Sequence, residues 1–171
     1  PGRPVLEKSD DARQAIVDAA VVHFARDGIK GSSNRQIALT AQRTPALVHY
    51  YFASRETLFE AVLQASFEPL VGKLAALDTL TVWVHAFHAH LVSHPWLPHL
   101  MIREVLPANG QLRELFLANQ APRIYGSVRP LVAALIHSRK SRSKPDIDRH
   151  VMLLMGMLVY PFLGQGIGQE V

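Results

Sequence analysis

The sequence predicts an all-α fold, with an N-terminal three-helix domain followed by a larger helical domain. Three observations favour it. Apolar residues recur at helical spacing along most of the 171 residues. Helix-capping residues stand before several of these apolar segments. We find no convincing alternation of apolar and polar residues of the kind typical of a half-buried strand. Since 49% of the residues are hydrophobic, a sizeable core is available.

The first helix is predicted to begin near Ser9 and to run to about Asp27. Acidic residues in its first turn stabilise the positive end of the helix dipole. Gly28 is expected to end the helix in a left-handed cap. The apolar residues of this helix follow one another at four-residue spacing and are Ala12, Ile16, Ala20 and Phe24.

Two short helices are predicted next, with a tight turn between them. The first, over residues 34–41, has Ser33 as its N-cap. The second begins at Pro45, which suits the first helical position because its missing N–H is not needed there. Thr44 is the N-cap of this second helix, which is expected to end near Phe52. The inward-facing residues of the first short helix are Ile37 and Ala38.

Helical patterns continue through the rest of the chain. Ser54 is expected to cap a fourth helix, and Glu56 lies favourably near its positive end. Pro69 is expected to kink or end this helix. Further helices are predicted over residues 79–93, 100–106, 111–119, 124–138 and 146–162, with a basic loop at 139–145.

Composition excludes several classes of protein. The absence of cysteine excludes a disulfide scaffold and fits a reducing cytoplasm. Because the sequence has neither a signal-peptide pattern nor a run of about 20 apolar residues, we expect a cytoplasmic protein without a membrane span. We find no paired carboxylates in the apolar half, no nucleophile signature and no phosphate-binding loop. We therefore expect neither an enzyme nor a cofactor.

The net charge of +4 permits nucleic-acid binding but does not locate it. Residues 1–60 carry eight Lys/Arg and seven Asp/Glu, a net of +1. Residues 103–150 carry nine and four, a net of +5. A DNA-binding role for the N-terminal domain must therefore be argued from local geometry.

A motif at residues 33–58 supplies that geometry. Its members are Ile37–Ala38, Ala41, Thr44, Leu47 or Val48, Tyr51–Phe52, Ser54 and Leu58, with Arg55–Glu56 where a Lys–acid pair is usual. At this spacing, and over about residues 10–63, the chain resembles the TetR family of bacterial transcriptional regulators. The resemblance implies a helix-turn-helix DNA-binding domain over residues 1–60 and a helical ligand-sensing and dimerisation domain over residues 61–171.

The resemblance also implies that residues in and around the second short helix contact double-stranded DNA. Thr44 and Arg55 are implied to contact phosphates. The other residues are implied to contact base edges or the DNA backbone. The implied contacts are Arg35, Thr44, Pro45, Ala46, Leu47, His49, Tyr50 and Arg55. Few of these side chains can read a base by hydrogen bonds, so operator choice would also depend on indirect readout.

Three positions depart from the family pattern. Gln42 stands where glycine is usual, and a left-handed turn there would cost a non-glycine residue roughly 1–2 kcal/mol. Arg43 stands where an apolar residue is usual. His49 stands where tyrosine is usual, and the charge of a histidine changes near neutral pH. We therefore expect DNA binding that is weaker or sensitive to pH.

Some of the polar and aromatic residues have a simpler interpretation. Tyr51 and Phe52 fit the core of the small domain better than DNA contacts, and Arg55 could be a solvated charge. Arg3 and Lys8 belong to an N-terminal arm that either enters the minor groove or is a disordered tail. The basic loop is expected to be solvated.

The second half of the chain offers candidates for a ligand pocket, because large apolar side chains with polar tips are spread along it. They are Trp83, Phe87, His90, Met101, Phe116, Tyr125, Met152 and Met155, with Tyr160 as a further candidate. Taken one by one, they fit ordinary core better, but we expect some of them together to line a cavity. Five histidines fall between residues 85 and 99. No acidic residue lies between Asp78 and Glu104 to complete a metal site, so none is expected.

The predicted helices at residues 124–138 and 146–162 could supply a dimer interface. One broad apolar surface on the last helix is either buried in its own domain or shared with a twin subunit. It consists of Val151, Leu154, Met155, Leu158, Val159 and Phe162. The resemblance implies a homodimeric repressor on a palindromic operator, released by a small hydrophobic ligand. The alternative is a helical small-molecule-binding protein with vestigial DNA binding.

Overall fold

In the computed structural model of this protein, residues 5–110, 112–137 and 146–164 are described, apart from the side chains of residues 5–9 and Lys30. These ranges contain nine helices and no strand, so the all-α prediction is confirmed. The helices are α1 (Val5–Gly31), α2 (Asn34–Thr40), α3 (Pro45–Tyr51), α4 (Arg55–Ala75), α5 (Leu80–Ser93), α6 (Trp96–Glu104), α7 (Arg113–Asn119), α8 (Ala121–His137) and α9 (Ile147–Leu163).

The chain divides into two compact units, Pro1–Ser66 and Phe67–Val171. The boundary between them falls within α4. The functional domains at 1–60 and 61–171 remain a prediction. The interpretations given to Arg3, to the Lys8 side chain and to the basic loop concern parts outside the described residues.

The first helix is longer than predicted at its N-terminus. It begins at Val5 instead of near Ser9, because residues 5–8 include no glycine or proline that would stop it. At its other end the backbone leaves helical geometry at Gly28, with φ 73° and ψ 178°, before one further turn to Gly31. This φ/ψ region is essentially restricted to glycine. The helix is therefore interrupted at Gly28 as predicted, but the expected left-handed cap was wrong, since ψ lies near 180° and a further turn follows.

The helices of the first unit bury a common core. Their buried apolar side chains include Ile16, Val17, Ala20 and Phe24 of α1, Ile37 and Ala38 of α2, Val48 of α3, and Leu58, Phe59 and Val62 of α4. The ring centroids of Phe24 and Phe59 lie 5.6 Å apart. Since α3 buries only Val48 fully, most of its surface remains exposed.

In the second unit, α5 carries a buried aromatic pair and is hydrogen-bonded to α8. The Trp83 ring stacks on Phe87 with centroids 5.0 Å apart. The indole Nε1 of Trp83 donates to Ser127 Oγ at 2.9 Å, which satisfies a buried donor. Trp83 and Phe87 are 0% and 3% exposed, so both belong to the core of this unit.

The helices α8 and α9 are joined at the surface by one carboxylate. Asp148 Oδ1 accepts hydrogen bonds from the Tyr125 hydroxyl and from Arg129 Nε, the latter at 2.8 Å. Hydrogen bonding by Tyr125, and then by Arg129, lowers the pKa of Asp148. The same contact with Asp148 raises the pKa of Tyr125.

Of the two outcomes predicted for Pro69, a kink or the end of α4, the end was wrong. The helix continues to Ala75, although an internal proline removes one backbone hydrogen bond. Leu70, Val71 and Leu74 are buried beyond Pro69, and their burial offsets the lost bond. In the ranges the structure describes, no helix combines the length and the apolarity that crossing a bilayer requires.

Candidate nucleic-acid interface

The turn between α2 and α3 is a Schellman motif closed by a residue in the left-handed region. Arg43 N–H donates to Ala38 C=O at 2.8 Å, and Gln42 N–H donates to Leu39 C=O at 3.1 Å. These are the 6→1 and 5→2 bonds of that motif. Gln42 has φ 53° and is the one non-glycine residue with positive φ among those described. The strained position is therefore the one where glycine was expected.

Both ends of α2 are fixed by side chains. At its start, Ser33 and Gln36 form a capping box, with Ser33 Oγ accepting from Gln36 N–H at 3.2 Å. Near its end, Thr40 Oγ1 lies 2.8 Å from Nε2 of the buried His23 on α1. Nδ1 of His23 lies 3.5 Å from Arg26 Nη2, which can only donate. His23 thus links the end of α2 to α1.

The third helix begins sharply and exposes its first turn. Thr44 Oγ1 accepts from Leu47 N–H at 3.3 Å, and Pro45 occupies the first helical position. Thr44, Pro45, Ala46, His49 and Tyr50 are exposed, whereas Leu47 is half-buried. Five of the predicted DNA contacts thus share the exposed side of one short, rigid segment.

The aromatic residues at the C-terminal end of α3 differ in their exposure to solvent. Tyr50 is 79% exposed, and its ring meets that of Tyr51 edge-on with centroids 5.1 Å apart. Phe52 is 4% exposed and lies under the Arg13 guanidinium at 5.3 Å. His49 Nε2 lies 3.5 Å from Asn34 Nδ2 of α2. Phe52 is therefore core, Tyr51 is half-buried, and Tyr50 faces solvent.

Arg55 takes part in a structural cluster at the end of α1. Its Nη2 donates to Ile29 C=O and, at 2.7 Å, to Ser32 Oγ. Its guanidinium lies 5.8 Å from the centroid of the Phe24 ring. Ser32 Oγ in turn donates to Gly28 C=O at 3.0 Å. The half-buried Arg55 thus caps free carbonyls of α1, while its predicted phosphate contact stays a prediction.

The other basic residues of the helix-turn-helix region are exposed. Arg35 lies on α2. Arg43 lies in the turn, with its Nη1 donating to the carbonyl of Gln42 at 3.0 Å. Arg43 was not among the predicted contacts, although a cation beside the N-terminus of α3 was visible in the sequence. The start of α4 is capped reciprocally by Ser54 and Thr57.

Comparison with known proteins finds relatives of this helix-turn-helix. The profile described as "Bacterial regulatory proteins, tetR family" matches residues 16–62, which span the helix-turn-helix just described. This part of the chain is therefore similar to the TetR family. Over 90% of its length, the chain is 28% identical to the HTH-type transcriptional repressor NicS of Pseudomonas putida, of which it covers 76%.

Two further comparisons extend this result. The chain is 36% identical to the nicotine-responsive transcriptional repressor HdnoR of Paenarthrobacter nicotinovorans over 37% of the chain and 33% of that protein. The crystal structure of FadR from Bacillus subtilis, in complex with stearoyl-CoA, matches with a TM-score of 0.72 at 16% identity, covering 92% of this chain and 88% of that one. At such identity the structural likeness shows the TetR-like fold alone.

The predicted ligand residues of this chain are not gathered at one place. Phe116 lies 5.6 Å from Phe67, and Phe67 lies 6.3 Å from His90, measured between ring centroids. Tyr125 instead bonds Asp148 at the α8–α9 contact, and Met152 is 68% exposed. Trp83 and Phe87 are core, Met101 and Met155 are half-buried, and Tyr160 is exposed.

The histidines of α5 form a stacked pair. The rings of His90 and His94 have centroids 4.3 Å apart, and His94 Nδ1 donates to His90 C=O at 3.0 Å. In the described part of the chain, no three His, Cys, Asp or Glu side chains are grouped as a metal site would need. A residue that sequence reasoning missed is Gln120, a buried amide beside Phe116.

Proposed function

We propose that this chain is a cytoplasmic homodimeric repressor of the TetR family that binds a palindromic operator and is released by a small, largely hydrophobic effector. The observation that carries the proposal is the exposed first turn of α3, presented by two capped helices and a fixed turn. A helix presented in this way can enter the major groove. The related repressors NicS and HdnoR support a repressor role.

The proposed DNA contacts follow from exposure. Thr44 and Arg43 lie at the N-terminus of α3, where the Thr44 hydroxyl and the positive charge of Arg43 can contact a phosphate. Pro45 and Ala46 offer apolar atoms to thymine methyl groups. Tyr50, the most exposed aromatic residue of the unit, reaches the backbone or a base edge.

Four of the implied DNA contacts have a smaller or different role in this proposal. Arg35 is exposed on α2 and supplies a further phosphate contact. Leu47 is half-buried, so only its outer atoms reach DNA. Arg55 acts mainly by holding α4 to the end of α1. His49 contacts DNA with its free ring edge, since its Nε2 faces Asn34.

The dimer is proposed to form through α8 and α9. The surface of α9 identified from the sequence is buried or half-buried, yet the opposite side of the helix is also apolar. Its exposed residues are Met152, Leu153, Met157 and Tyr160, at 68%, 55%, 68% and 67% exposure. Contiguous exposed apolar surface marks an interaction site. A second copy of the chain would cover it and place two α3 helices about 34–36 Å apart.

The effector is proposed to bind inside the second unit, near the rings of Phe67, His90 and Phe116. The names of two neighbours are consistent with an apolar effector, since HdnoR is nicotine-responsive and the FadR crystal contains stearoyl-CoA. Release follows if the effector prefers a conformer whose recognition helices are wrongly spaced. A coupling of about 1–3 kcal/mol is enough for a useful switch.

Operator selection from random DNA, followed by gel-shift titration at several salt concentrations, tests the proposal. We expect a two-fold symmetric site, weaker binding as salt rises, and an at least tenfold loss of affinity in Tyr50→Ala, about 1.4 kcal/mol or more. Val22→Ala, at a residue of α1 that is 55% exposed, is the matched control and should bind normally. Ligand binding with only non-selective DNA affinity would instead support the vestigial alternative.

A further inference from the structure

The most unusual polar group of the second unit is the Gln120 amide. Gln120 is 5% exposed. Among the described residues, no donor lies within hydrogen-bonding distance of its fully buried Oε1. Buried side-chain oxygens are nearly always hydrogen-bonded, because leaving one without a donor is costly. An oxygen of this kind is therefore a place where a bound molecule can donate.

Gln120 lies between α7 and α8 and is held by backbone hydrogen bonds to both helices. Its N–H donates to Phe116 C=O at 3.0 Å, and its C=O accepts from Ile124 N–H at 3.1 Å, so the chain is helical through this point. Phe116, Gln120 and Arg123 therefore lie on one face.

Each neighbour of Gln120 on that face touches α4. The centroids of the Phe116 and Phe67 rings lie 5.6 Å apart. Arg123 donates from Nη1 and Nη2 to the two carboxylate oxygens of Glu68, at 2.6 and 2.9 Å. Gln120 thus lies between an aromatic contact and a bidentate ion pair, on the side that faces α4.

The surroundings of this amide favour a flat partner. Phe67 contacts both Phe116 and His90, with centroids 5.6 and 6.3 Å apart. The His90 ring continues the series by stacking on His94 at 4.3 Å. Aromatic faces bind other flat rings by stacking or edge contacts. One hydrogen-bond acceptor beside such rings selects a planar ring system that carries a donor.

We propose that Gln120 is the polar anchor of the effector site, and that the effector is a planar aromatic molecule with an N–H or O–H group that donates to Gln120 Oε1. This inference rests on the proposed function in placing the effector within the second unit. It adds the chemical class of the effector and the residue that recognises it.

Matched pairs of probes test the inference on the unmodified protein. Isothermal titration would compare indole with 1-methylindole and phenol with anisole, since each pair differs in its donor and little in shape. We expect the donor-bearing member of at least one pair to bind about tenfold more tightly, as expected for loss of a buried hydrogen bond. Equal affinities within both pairs, or no binding of indole and phenol at millimolar concentration, would overturn the inference.

A variant locates the effect. In Gln120→Met the preference for the donor should fall to within about twofold, whereas Gln64→Met, at an exposed glutamine of α4, should retain it. An unchanged preference in a folded Gln120→Met protein would show that Gln120 is not the anchor. If that variant does not fold, the probe pairs still decide the question with the wild-type protein.

Gel shifts with the selected operator separate this inference from the proposed function. If the probes release DNA equally well with and without a donor group, the repressor function is supported and the role of Gln120 is overturned. If the protein selects no operator but binds the donor-bearing probes more tightly, the role of Gln120 is supported and the repressor function is overturned.

Discussion

Replacing Gln42 by glycine should stabilise the N-terminal unit. The residue has φ 53°, where a side chain costs roughly 1–2 kcal/mol. Glycine removes this strain, but it also has more conformational freedom in the unfolded chain. The extra entropy lost on folding cancels about 0.5–1 kcal/mol of the gain. The net gain is therefore about 0.5–1 kcal/mol, or roughly 1–4 °C in Tm for a chain of this size.

The assay has to report on the first unit specifically. Both tryptophans, Trp83 and Trp96, lie in the second unit, so their fluorescence does not follow this change. Urea unfolding by circular dichroism should be combined with hydrogen exchange of the peptide covering residues 34–52. We expect slower exchange of this peptide in the glycine variant, because local opening becomes less favourable.

Two control variants make the result specific to backbone geometry. Gln42→Ala keeps the Cβ atom and should give little or no gain. Gln64→Gly makes the same substitution at an exposed position inside α4 and should destabilise by about 0.5–1 kcal/mol. If Gln42→Gly is no more stable than wild type, or if the alanine variant gains as much, the reasoning from positive φ is refuted.

Three further substitutions test other contacts. Gly28→Ala should lower the free energy of unfolding by about 1–3 kcal/mol, because Gly28 occupies a region that other residues rarely enter; urea titration measures it. Ser127→Ala should cost about 1–3 kcal/mol, because Trp83 Nε1 loses its buried partner; a thermal shift of tryptophan fluorescence reports it. The pKa of Asp148 is lowered, so its stabilising effect is present above its ordinary pKa of 3.8 and is lost as pH falls through the folded value. Asp148→Asn should therefore abolish that part of the acid dependence of the urea midpoint, whereas an unaltered dependence would exclude a stabilising role for the contacts of Asp148 with Tyr125 and Arg129.

Local chemistry explains what the sequence predicts well. The caps at Ser33, Thr44 and Ser54 act over three residues, so they fix the starts of α2, α3 and α4 without knowledge of the rest of the fold. The left-handed position at Gln42 follows from the same short range. The choice between Leu47 and Val48 required the structure, because both are apolar and only packing on α1 and α2 shows which one is buried.

Tertiary packing explains what the sequence did not predict. Pro69 carries a helix-breaking signal, and burial of apolar residues beyond it outweighs that signal. On α9 both sides are apolar, so periodicity alone cannot distinguish the side that packs within the unit from the exposed side containing Met152. Nothing local marks Gln120 either, since glutamine is usually exposed and burial at this position depends on tertiary packing.

The cluster around Arg55 has a mechanical consequence. The Arg55 guanidinium donates hydrogen bonds to the carbonyl of Ile29 and the hydroxyl of Ser32 and lies over the Phe24 ring. These contacts hold the first turn of α4 against the end of α1. If α4 tilts, we therefore expect the end of α1 to move with it, together with α2 and α3, which pack on α1.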